Sequence, residues 1–123
     1  MSVIAECYAV LGIVKEMPTQ DSDYSGPNRP VLPDGRVIHT FGFKSTDEPL
    51  KLEASKELMG NPGKFLIGYQ LGYLDHHNAA EISRANDPAV RKQLLQELRD
   101  AGMQVDDSEV KLQLHMDSDQ FQY

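Results

Sequence analysis

KFLIGYQLGYLD, residues 64–75, alternates with a period of two: Phe65, Ile67, Tyr69, Leu71 and Tyr73 fall on one side of an extended chain, and Leu66 and Leu74 on the other. The stretch reads as a strand, and a strand with apolar residues on both faces needs cover on both. Gly68 and Gly72 lie on the second face, where a helix or another backbone can approach closely. The rest of the chain has to supply pairing strands and at least one covering helix.

Pairing strands are recognisable on either side. Upstream, Val3, Ala5, Cys7, Ala9, Leu11 and Ile13 share one face of an extended segment, and Ile4, Tyr8, Val10 and Val14 share the other. A run apolar on both faces predicts an interior strand, with a bulge at Gly12. Pro33-Asp34-Gly35 predicts a tight turn, followed by an arm from Arg36 to about Lys44 with Val37, His39, Phe41 and Phe43 on one face. Downstream, Val110, Leu112, Leu114 and Met116 alternate with Lys111, Gln113 and His115, the pattern of a half-exposed strand, and DSDQFQY, residues 117–123, reads as a loose tail.

Three segments read as helices. In 48–59, Leu50, Leu52 and Ala54 alternate like a strand, yet Asp47 ahead of Glu48-Pro49 and the terminator Gly60-Asn61-Pro62-Gly63 favour a helix. Asn78 with Glu81 three residues later predicts a short capped helix. Asp87-Pro88 opens the clearest one, with a stripe of Val90, Leu94, Leu95, Leu98 and Ala101 and Gly102 as its stop. The expected architecture is a single α+β domain over 1–123: a mixed or mainly antiparallel sheet of about 4–5 strands packed by two or three helices, with a long polar loop at 19–30.

Nineteen acidic against 12 basic side chains give a formal net charge of −7. That field repels phosphate backbones and attracts basic partners, so the expectation is no nucleic acid and, with no run of about 18 apolar residues, no membrane span. Phe41, Phe43, Tyr69 and Tyr73 lack the positive groove that base stacking requires and read as packing residues. Cys7, the single cysteine, reads as a small core residue. The N-terminal segment has Glu6 within its apolar stretch and no basic region, unlike a signal peptide. The expected compartment is cytoplasmic.

Asp75-His76-His77 at the end of the 64–75 strand, with Asp21-Ser22-Asp23-Tyr24-Ser25-Gly26 upstream, resembles the DHH phosphoesterases. In that family an Asp-His-His at a strand end holds divalent metal and an earlier Asp-x-Asp-x-x-Gly supplies further carboxylates. The resemblance implies a metal-dependent hydrolase with Asp75, His76 and His77 as ligands and Asp21 and Asp23 as further ones, metal activating the water. It covers only these two short motifs. Pro27 and Pro30 keep the chain after Gly26 from continuing as a helix, and the family's catalytic domain is a parallel α/β sheet larger than this whole chain. The plainer reading has Asp75 and Asn78 shaping a strand-to-helix turn. Read as a calcium loop, the same acidic segment carries Leu32 where the bidentate glutamate belongs. His39 and His115 on strands would join His76, His77 and Asp75 in a metal site only if the fold brought those strands together.

No nucleophile elbow, Walker loop or dinucleotide fingerprint is present, and no cofactor is called for. The balance leans away from an enzyme and towards a small acidic binding or inhibitor protein whose partner is another, basic, protein. That profile is similar to those of toxin-immunity proteins, antitoxins and phage-encoded inhibitors. The partner-binding residues on this reading are Asp21, Asp23 and Tyr24 in the loop, with Asp106, Asp107 and Glu109 as a second acidic patch. A small-molecule or nucleotide pocket between sheet and helices, edged by His39, Tyr69 and Tyr73, is the further alternative. A homodimer pairing the 110–116 strand across a two-fold axis is compatible with any of these.

Overall fold

A computed structural model describes residues 2–20, 29–41, 49–58, 60–61, 63–73 and 87–121, with backbone only at 2–8, 72–73 and 116–121. In chain order the elements are β1 (Ser2–Glu16), β2 (Thr19–Gln20), β3 (Arg29–Pro30), β4 (Leu52–Ala54), β5 (Lys64–Tyr73), α1 (Pro88–Asp100), a 3-10 turn (Asp107–Glu109) and β6 (Lys111–Phe121). The main sheet has the order β4-β5-β1-β6 with every neighbour antiparallel, and β2 and β3 form a separate two-stranded ladder. Together they make a small, mostly stranded α+β domain. Among the described residues no helix is long and apolar enough to cross a membrane.

Two-sided apolar patterning puts β1 in the interior, between β5 and β6. Leu11 and Ile13 face the helix side with Phe65, Ile67, Tyr69 and Leu71 of β5, and α1 closes that core with Leu94, Leu95 and Leu98. The opposite face carries a smaller cluster of Val10, Leu66 and Phe41. Gly12 stands opposite Gly68, and the strands come so close there that a Cβ on Gly68 would overlap the Leu11 carbonyl and one on Gly12 the Ile67 carbonyl. The approach expected at Gly68 is thus to the neighbouring strand. The bulge lies between Ala9 and Val10 rather than at Gly12: Ala9 pairs with Gly72 and Val10 with Gln70, leaving Leu71 as the extra residue.

α1 begins and ends where its sequence signals place it. Asp87 caps it by accepting a bond from the Ala89 N–H at 2.9 Å, Pro88 takes the first turn, and Gly102 leaves it with φ +95°. The helix expected over 48–59 is a strand instead at Leu52–Ala54. Leu52 and Ala54 are both buried against β5, and Ala54 also exchanges bonds with residues 39 and 41, donating to the His39 carbonyl and accepting from the Phe41 N–H. Tertiary pairing on two sides outweighs the capping signals ahead of it. The short helix expected from Asn78 lies outside the described residues, so α1 is the one α-helix among them.

Other differences concern faces and ends. The Pro33-Asp34-Gly35 turn forms, with Gly35 donating to the Leu32 carbonyl at 2.8 Å, but after it Ile38 points inward and His39 outward, so Val37, His39 and Phe41 do not share a face. The loop expected at 19–30 is pinned at its base, where Thr19 and Gln20 pair with Pro30 and Arg29. The tail expected to be loose from residue 117 continues as β6 to Phe121, which pairs with Ser2. Of the apolar face expected on the half-exposed strand, Val110 is buried, whereas Leu112 and Leu114 are 41 % and 64 % exposed on the sheet's outer strand.

The Gly12–Gly68 contact makes a direct prediction. Gly68→Ala should lower stability by about 2 kcal/mol or more, because backbone has to move to admit the methyl. Gly60→Ala, where nothing lies within 4 Å but φ is +78°, should cost about 1 kcal/mol from strain alone. Thermal melting of the two variants checks the order.

Candidate functional site

Of the residues singled out above, the structure brings Asp106, Asp107 and Glu109 together in the turn that joins α1 to β6. Met103 and Val105 are buried on the way into it and Val110 on the way out, so the acidic tip is held on both sides by core contacts. The Asp106 N–H donates to Glu109 Oε1 at 3.2 Å, while the Glu109 N–H donates to the Asp106 carbonyl at 2.9 Å. These reciprocal bonds set the shape of the tip.

Two basic residues from the flanking elements neutralise part of it. Arg91 of α1 donates Nε to Asp107 Oδ1 at 2.8 Å and Nη2 to the carbonyls of Asp107 and Val110, each at 2.7 Å. Lys15 of β1 pairs with Glu109 at 2.9 Å and, as the main cause, holds its carboxyl below the usual range. Arg99 adds a bond from Nη2 to the Val105 carbonyl at 3.0 Å. The carboxylates left most open to solvent are therefore those of Asp106, which is exposed, and Asp107, whose side chain is 68 % exposed despite its pairing with Arg91. Beside the tip lies a shallow groove of about 330 Å³ lined by Val14, Ser108, Glu109, Lys111 and Gln113. Val14, 42 % exposed, is the apolar residue of its lining.

Of the expected small-molecule pocket, the structure describes the side chains of Tyr69 and His39. Tyr69 is fully buried, and its hydroxyl donates to Glu97 of α1, tying helix to sheet inside the core. Burial, followed by that bond and the negative charge of Glu97, pushes the phenol well above its ordinary value. His39 is exposed, with Nδ1 3.4 Å from Arg29 Nη1. Tyr73 ends β5, and its side chain is outside the description. His115 packs its ring against Phe41 with centroids 6.3 Å apart. Asp21, Asp23, Tyr24, Asp75, His76 and His77 lie outside the described residues; among those described, no group of three His, Cys, Asp or Glu is placed to hold a metal ion.

The residue sequence reasoning missed is Arg91. On α1 it carries no pattern that separates it from Lys92 or Arg99, and its role depends on where the chain returns sixteen residues later. Arg91→Ala should cost about 1–2 kcal/mol, whereas Asp107→Asn should cost less because two backbone carbonyls still accept from Arg91; chemical denaturation checks both. Tyr69 makes a pH prediction. With its folded-state pKa raised, its contribution is fully present below the ordinary 10.0 and is lost as pH rises through the higher folded value. Tyr69→Phe should be about 1 kcal/mol less stable at neutral pH yet lack that part of the alkaline decline, as unfolding midpoints measured across pH 8–11 would reveal.

Comparison with protein-family models, with curated proteins and with solved structures found no match to this chain.

Proposed function

We propose that this chain is a small acidic cytoplasmic binding protein that inhibits or occludes another protein by docking on that partner's basic surface. The observation that carries the reading is the acidic tip at 106–109: it is anchored by buried residues, shaped by its own backbone bonds, and set beside a groove lined in part by the exposed Val14. A rigid charged rim next to an apolar patch suits a protein partner, because the charges select and steer while the patch supplies buried area. A formal charge of −7 extends the attraction beyond the tip. Asp21, Asp23 and Tyr24 belong to the same reading as a second contact.

The test is a partner retained in stoichiometric ratio from a native lysate at low salt. Its affinity should fall roughly tenfold or more between about 50 and 300 mM salt, and Asp106→Lys should slow association while leaving dissociation nearly unchanged, as surface plasmon resonance would record. No stoichiometric partner, or one whose binding ignores salt, would sink the reading.

A further inference from the structure

β6 is the outer strand of the sheet, paired on one side with β1 and with no strand on its other side among the described residues. It runs for eleven residues, Lys111–Phe121. An edge that long, with Leu112 and Leu114 exposed on it, is a template for a further strand. Lys111, at its start, is exposed and has no ion-pair partner among the described residues.

The sequence along this edge complements itself. In an antiparallel pair, directly opposite residues lie on the same face, so two copies related by a two-fold axis keep their apolar positions together only in registers where even opposes even. With the axis at Leu114, Leu114 meets its own copy, Leu112 stands opposite Met116, Gln113 opposite His115, and Lys111 opposite Asp117. Sliding one strand by two residues in one direction sets Lys111 opposite His115 and removes the opposite-charge pair. Sliding it the other way keeps an opposite-charge pair, Lys111 with Asp119, but sets Leu112 opposite Ser118 and Gln113 opposite Asp117. The Leu114 register alone keeps Leu112, Leu114 and Met116 opposite one another on one face while setting lysine against aspartate, twice by symmetry, on the other.

We infer that the β6 edge binds a second copy of this chain, β6 against β6 in the Leu114 register, making one continuous eight-stranded antiparallel sheet. The axis stands perpendicular to the sheet, so both acidic tips and both grooves come to the same face of the dimer. The inference goes beyond the proposed function, and purified protein alone tests it.

Sedimentation velocity of the wild-type chain should show a species of twice the 13.8 kDa monomer mass that grows with concentration. Lys111→Asp and Asp117→Lys should each weaken the dimer by roughly tenfold or more, since each sets like charges opposite, and the double variant should regain most of the loss. Thermal melts confirm that each variant is folded. A wild-type chain that stays monomeric to roughly 1 mM would overturn the dimer. A dimer unaffected by either single change, or a double variant no tighter than the singles, would overturn this edge and register. A missing partner in the lysate experiment affects neither outcome.

Discussion

Pairing along both edges of β1, at the close quarters that Gly12 and Gly68 permit, ties the domain together. β5 and β6 are not paired with each other; each is held by β1, so the strand pairing that joins the sheet under α1 to the strand that follows the helix runs through β1. Side chains at the Gly12–Gly68 crossing would force the backbones apart, and the loss would spread to the ladder on either side. The bulge beside Ala9 shifts the register by one residue, so that Ala9 faces Gly72.

From this arrangement the acidic corner follows. α1 ends over the sheet, Gly102 turns the chain, and Met103 and Val105 drop into the core before β6 begins. Arg91 reaches from the helix to the turn and Lys15 from β1, so two elements distant in sequence brace one short loop. The charge that stays outward is that of Asp106 and part of Asp107, a smaller and better-directed patch than three acidic residues in a row suggest. Exposure of Leu112 and Leu114 has the same origin: β6 is the outermost strand, with no strand on its far side among the described residues.

Strict periodicity made β5 and α1 legible. Five alternating apolar residues admit one extended reading, and Asp87, Pro88 and Gly102 bracket a stripe at helical spacing. Residues 48–59 were open to two readings, because Leu50, Leu52, Ala54 and Leu58 satisfy both periods, and only the bonds Ala54 makes to its neighbours settle it as strand. Residues 117–121 have a loop-like composition of Asp, Ser and Gln, yet the long first strand offers them a partner as far as Ser2. For the candidate site, the cluster at 106–109 was readable as acidic surface, but its bracing was not, since Arg91 and Lys15 carry no local signal of where they reach.

By itself the sequence determined which segments alternate, which one turns helically, where α1 is capped and stopped, and the sign of the surface charge, because each depends on residues within a few positions of one another. Only the tertiary structure decided that β5 and β6 are the strands flanking β1, that Tyr69 bonds to Glu97, and which acidic groups remain outward. Those outcomes depend on contacts between residues far apart in the chain, and no local pattern encodes which distant neighbour will arrive.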